Sequence, residues 1–168
     1  MFSHGYGTVN KVTLRRRLSD WFRRDSGSTR LTYSAQTDPD EDAIEAVRRG
    51  LVAYNEQFTG PQPQTKVGCF ARDESGRVVA GAHGTIGWGW LYIERLWVEE
   101  NLRGKGVGTQ VMARLERLAL AQGVFRFHVG TTSFQALDFY IQQGYEVYDQ
   151  LEDNPPGITD YMLKKNID

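Results

Sequence analysis

Three stretches of this 168-residue chain predict a mixed α/β domain whose sheet is mostly antiparallel, with one parallel crossover in its second half. The first is a hairpin pattern: apolar runs at Val67–Arg72 and Arg77–His83 flank a short turn, Asp73-Glu74-Ser75-Gly76. The second is a strand-like run, Trp90–Val98, followed by Arg103-Gly104-Lys105-Gly106-Val107-Gly108. A helical pattern of Val107, Val111, Leu115 and Leu118 comes next. The third is another strand-like run, Val124–Val129, directly after that helix. A strand, a helix and a second strand return the chain parallel to its starting direction.

Bulk properties set the frame. The length accommodates one domain with a well-buried core. Hydrophobic content of 40% and charged content of 24% are ordinary for a soluble globular protein. The single cysteine, Cys69, forms no internal disulfide and is compatible with a reducing cytosol, so a cytoplasmic location is expected. No apolar run approaches the roughly 20 residues of a spanning helix, and no secretory signal is visible, so stable membrane insertion is not expected. Net charge is -1 but unevenly placed. Residues 1–30 carry seven Lys or Arg and two Asp, leaving 13 basic and 19 acidic residues in the body. An acidic body suits a cationic partner better than a nucleic acid.

Residues 1–29 read as a basic extension, with a linker at Asp25–Thr29 and the compact domain spanning 30–168. Leu14, Leu18, Trp21 and Phe22 share a helical face, surrounded by Arg15, Arg16, Arg17, Arg23 and Arg24. Such a segment suits an anionic membrane surface or a partner. The blander alternatives are a helix packed on its own domain, one packed on a second copy in a homodimer, or a frayed tail. Leu31–Gln36 alternates like a first strand. Asp38 or Asp40 is placed to cap a helix whose apolar stripe is Ile44, Val47, Leu51 and Tyr54. The loop Asn55–Lys66, holding Gly60, Pro61 and Pro63, is long enough to shape a pocket wall.

After the hairpin, glycines from Gly81 to Gly89 permit a bend or bulge, with Trp88 and Trp90 near the next turn. His83 reads as a satisfied strand residue, with catalysis the lesser alternative. In the run Val124–Val129, Phe125, Phe127 and Val129 fall on one face. Phe134–Gln143 reads as a short helix stopped by Gly144. Tyr145–Tyr148 and Thr159–Leu163 are two last strands joined by a loop containing Asn154–Gly157.

The residues then carry a resemblance. Arg103-x-x-Gly106-x-Gly108 after a strand ending Leu96-Trp97-Val98, followed by Ala136–Tyr140 and then Gly144-Tyr145, resembles the GNAT superfamily of N-acetyltransferases. It covers roughly residues 30–165 in element order. A Walker-type loop needs GxxxxGK[ST], which does not occur, and a dinucleotide fingerprint needs a different glycine spacing. The resemblance implies a GNAT-like sheet of six to seven strands with helices on both faces, and the parallel crossover at the cofactor site.

It also implies acetyl-CoA as donor. The pyrophosphate would lie on Arg103, Gly104, Lys105, Gly106, Val107, Gly108 and Thr109, and the pantetheine arm along Leu96, Trp97 and Val98. Phe139 and Tyr140 face this site, and Thr132 or Ser133 stands where many relatives carry an asparagine. Tyr140 matches the tyrosine that protonates the departing thiolate, and an unperturbed phenol, with a pKa of about 10, is protonated at neutral pH. Glu94 is placed like the carboxylate some relatives use as base, and simple alternation puts it on the face of Tyr92, Leu96 and Val98. His128 is the second candidate. Tyr54, Trp90, Tyr92 and Glu94 are the expected acceptor-side residues, favouring a primary amine on a small molecule, a peptide or a lysine side chain. The expected activity is direct transfer in a ternary complex, with no metal and no cysteine nucleophile. A non-catalytic acyl-CoA-binding or interaction module is the alternative.

Overall fold

The computed structural model describes residues 31–167, so the arginine-rich segment 1–29 lies outside the described residues. The chain divides into two compact units, Met1–Val47 and Arg48–Asp168. In the first, residues 31–36 form no helix or strand, with Leu31 and Tyr33 exposed. The expected first strand is therefore not formed, because alternation makes a strand only where a neighbour supplies hydrogen bonds. Asp40 caps helix α1 (Glu41–Thr59) by accepting the Ala43 amide at 2.8 Å. The residues of its apolar stripe, Ile44, Val47, Leu51 and Tyr54, are all exposed.

In the second unit a six-stranded sheet is built from β1 (Thr65–Arg72), β2 (Val78–Gly87), β3 (Trp90–Val98), β4 (Arg126–Thr132), β5 (Glu146–Leu151) and β6 (Asp160–Asn166). The strand order is β1-β2-β3-β4-β6-β5, and only β3 and β4 run parallel. The mostly antiparallel sheet with one crossover agrees with the sequence reading. The β2–β3 turn is Trp88-Gly89, both at positive φ, as a tight two-residue hairpin requires. Helix α2 (Val107–Leu120) makes the crossover and packs on β1, β2 and β3. The fully buried Ala80 and Ala82 of β2 let the helix come close, and Met112, Leu115 and Ala119 meet Leu91, Phe127 and Leu163 in the core. Ala119, not the half-exposed Leu118, completes the inward stripe, being one more step round the 3.6-residue period. Phe125, just before β4, is likewise exposed.

One buried polar link crosses this core. Glu116 of α2 accepts the Tyr145 hydroxyl at 2.9 Å and the Lys165 ammonium at 2.7 Å. Both carboxylate oxygens are satisfied, which is what makes a charge tolerable there. Helix α3 (Leu137–Gln142) contacts β5 and brings Tyr140 into the same core. Gly144, at φ 85°, ends it as the sequence indicated.

Two bulges reshape the face opposite α2. Between β2 and β3 the register jumps from Gly84↔Ile93 to His83↔Arg95, so Glu94 is the extra residue. The bulge breaks the alternation. Leu96 and Val98 pack on the core while Glu94 stays exposed beside Tyr92. Glu94 therefore does not share a face with Leu96 and Val98, contrary to the simple period-two expectation. A second shift, between Val147 and Asp149, makes Tyr148 the extra residue of β5.

Candidate active site

The parallel pairing of β3 and β4 starts at Trp90↔Arg126 and stops at Ile93↔Val129. Beyond it β3 stays bonded to β2 through Val98↔Ala80, and β4 stays bonded to β6 through Thr132↔Asp160. The strands thus splay, and the β4-facing amides and carbonyls of Glu94–Val98 are left without a strand partner. A groove of about 1150 Å³ opens there, running from Glu94 past the glycine loop to Phe139 and Tyr140. An extended chain of amides laid in it would find free backbone groups.

The glycine loop forms the far end. Gly104 and Gly106 have φ of 69° and 75°, a conformation open to glycine and strained for other residues. Gly106 caps α2 with no side-chain hydrogen bond, so the first amides of the helix point outward unsatisfied. Those donors and the positive end of the helix suit a phosphate group. Arg103 turns its Nε back onto the Val98 carbonyl at 3.0 Å, fixing the loop to the end of β3. In the groove wall the Thr132 hydroxyl is buried with no hydrogen-bond partner among the described residues. A buried hydroxyl without a partner is costly unless a ligand completes it.

Tyr140 is nearly fully buried, its ring edge-on to Phe139 at 5.3 Å and to Tyr145 at 5.7 Å. Burial pushes its phenol up to about 12, because a phenolate would be poorly solvated there. The group is therefore protonated throughout the neutral range and able to donate. Burial together with the Glu116 carboxylate raises Tyr145 as well.

On the open face Glu94 accepts the Thr85 hydroxyl at 2.7 Å, and its other oxygen lies 3.5 Å from His83 Nδ1. His128 meets Tyr148 Oη at 2.9 Å and stands between the rings of Tyr92 and Tyr148. Desolvation lowers His128, favouring its neutral form.

Of the fourteen cofactor-side residues anticipated from sequence, the groove takes in all but Lys105 and Ser133. Lys105 is exposed, and Ser133 is clipped to Thr159 by its amide at 2.8 Å and its hydroxyl at 3.3 Å. Among the acceptor-side residues Glu94 alone lines the groove. Tyr92 lies beside it on the open face. Tyr54 is exposed on α1 with its ring against Phe58. Trp90 stands at the other end of β3 under Arg126, 5.9 Å from its guanidinium. Sequence reasoning missed Gln135, which accepts the Thr132 amide at 3.2 Å and shapes the turn after β4. It also missed Asp160, brought into the groove by its pairing with Thr132. Neither carries a local signal. Among the described residues no helix is long and apolar enough to cross a membrane.

Comparison with known proteins gives a consistent picture. Residues 15–145 match the acetyltransferase (GNAT) family. The chain is 35% identical over 126 residues to a blasticidin-S acetyltransferase of Streptomyces morookaense, covering 74% of this chain and 88% of that protein. It is 31% identical over 106 residues to an acetyltransferase of Agrobacterium fabrum, covering 63% of this chain and 77% of that one. A crystal structure of an acetyltransferase from Bacillus cereus superposes with a TM-score of 0.74 at 28% identity, over 80% of this chain and 98% of that one.

Proposed function

The chain belongs to the GNAT family of acetyltransferases, and from that premise we propose that it transfers acetyl from acetyl-CoA to a primary amine by direct attack in a ternary complex. The observation that carries this reading is the continuity of one groove. It joins an uncapped helix N-terminus, a strand edge free to pair and a protonated buried phenol. Acetyl-CoA supplies the activated acyl group as a thioester.

The chain's own residues do the rest. Amides from Gly106 to Thr109 hold the diphosphate, and the Thr132 hydroxyl gains the partner it lacks. Leu96–Val98 align the pantetheine arm along the open edge of β3, and an amide there polarises the thioester carbonyl. Glu94, at the opening of the splay, receives the cationic acceptor. Tyr140 gives its proton to the sulfur as the C–S bond breaks.

The acceptor class is a small molecule, a peptide or a lysine side chain. The likeness to a blasticidin-S acetyltransferase favours the first of these and makes blasticidin S the acceptor to try first. Thiol release from acetyl-CoA, measured with blasticidin S and a panel of diamines, aminoglycosides and lysine peptides, tests the reading. Thiol release that depends on one of these amines, with the acetylated product seen by mass spectrometry, supports it. Tight acetyl-CoA binding with no acetylated product across the panel would sink it.

A further inference from the structure

His83 and Thr85 lie outside the groove, yet both reach Glu94, the groove carboxylate at the opening of the splay. Three observations bear on what they do there. First, the bulge that expels Glu94 from the β3 ladder is what brings it opposite these two β2 side chains. Bulges recur beside active sites because they re-aim a side chain. Second, the two contacts divide the carboxylate. Thr85 donates to Oε1, and His83 Nδ1 faces Oε2. Third, the His83 and Glu94 side chains are 46% and 47% exposed, an arrangement that contributes little to stability. Bulge, hydroxyl and imidazole thus converge on one carboxylate without a structural gain to explain them.

Resting on the acetyl-transfer reading above, we propose that His83 is the proton acceptor behind Glu94, and that Thr85 is the positioning residue that holds the carboxylate between amine and imidazole. An alkylammonium must lose a proton before its nitrogen can attack. A carboxylate alone is a poor resting place for that proton, and an imidazole is a better one. Glu94 therefore docks the ammonium and passes one proton to His83, which returns it to solvent. The freed lone pair forms the C–N bond. The nitrogen sheds its second proton as the C–S bond breaks, and that proton restores to Tyr140 the one it gives to sulfur. The net yield is amide, thiol and one proton.

Other groups share this face and frame the pH response. Lys66 of β1 pairs with Thr85, Arg95 of β3 pairs with His83, and Tyr92 of β3 separates the pair from His128 of β4.

The test is steady-state kinetics of the full chain with acetyl-CoA and blasticidin S, or the best amine of the panel, from pH 5.5 to 9.5. His83→Asn keeps a polar atom near the Nδ1 position but cannot accept a proton. It should lower kcat by about 100-fold while KM for the amine stays within about twofold, and should remove the acidic limb of the kcat profile. Adding it to Glu94→Gln should cost little more than either change alone. Thr85→Ser should retain activity that Thr85→Val loses. A His83→Asn enzyme with unaltered kcat and pH profile overturns the proposal, as does a loss that multiplies with Glu94→Gln. An acidic limb that vanishes in His128→Asn instead also overturns it. Each of these outcomes leaves the transferase reading standing, whereas wild-type protein that acetylates nothing overturns both.

Discussion

The ring of Tyr140 meets the ring of Tyr145 edge-on with centroids 5.7 Å apart, and Tyr145 in turn donates its hydroxyl to the buried Glu116. The candidate acid is thus seated on a link that ties α2, α3 and β6 together. Its orientation depends on packing, and its proton on burial. The two are separable by mutation.

Tyr140→Phe keeps the ring and removes only the hydroxyl. Thermal stability should change by less than about 1 kcal/mol and acetyl-CoA affinity by less than about threefold, while kcat falls by about 100-fold. Calorimetry beside a thiol-release assay checks this. An unchanged kcat would remove Tyr140 from the mechanism.

The raised Tyr140 phenol predicts alkaline sensitivity. Its folded value of about 12 lies above the ordinary 10, so the folded state holds a proton that the unfolded chain releases between those values. Stability from this group is complete below about pH 10 and is lost as pH rises through 12, by roughly 2–3 kcal/mol. Urea unfolding at pH 9 and pH 11 should show the drop, and Tyr140→Phe should reduce it. An equal drop in that variant would assign the effect elsewhere, Tyr145 first.

His128 works in the opposite direction. Desolvation favours its neutral form, so the folded state binds its proton less readily than the unfolded chain. Stability from this group is present above about pH 6.5 and is lost as pH falls below that value. An NMR titration should find the imidazole charging below 6.5. A midpoint above 6.5 would contradict the desolvated environment.

Gly106 is constrained by conformation and not by space. A Cβ there would meet no atom within 4 Å, but φ is 75°. Gly106→Val should lose about 1–2 kcal/mol of stability from backbone strain, and acetyl-CoA affinity should weaken at least tenfold as the loop amides move. Isothermal titration against CoA decides it. Unchanged affinity in folded protein would move the phosphate site away from this loop.

Glu116→Ala leaves the Lys165 ammonium, with 16% side-chain exposure, without its partner. A loss of about 3 kcal/mol is expected, lowering the melting temperature by roughly 6–12 °C. A shift below 2 °C would mean that Lys165 escapes to water.

The strand, loop and helix that frame the candidate cofactor groove were legible in the chain because their signal is contiguous. Strand Trp90–Val98, the glycine loop and a helix starting at Val107 follow one another directly, and each is specified by local periodicity or backbone freedom. The hairpin, the crossover and the stop at Gly144 were read for the same reason. Leu31–Gln36 was misread because alternation describes a face and says nothing of a partner strand. The helix at Glu41–Thr59 was correct as an element, while burial of its apolar stripe did not follow from its pattern.

What the tertiary structure alone decided is register. One extra residue at Glu94 reverses the pattern along β3, sending Leu96 and Val98 to the core and keeping Glu94 on the open face. The same shift sets Glu94 against Thr85 and His83, nine and eleven positions earlier in the chain. Glycines at Gly81, Gly84 and Gly87 of β2 would each admit a close approach of β3, so composition could not locate the bulge at Glu94. Pairing across two strands did, because a ladder slips where the side chains of both partners bury best. By itself, then, the sequence determined the strand, glycine loop and helix that frame one side of the candidate donor groove, because these are neighbours in the chain. The open face around Glu94 was decided only when strands distant in sequence were laid side by side.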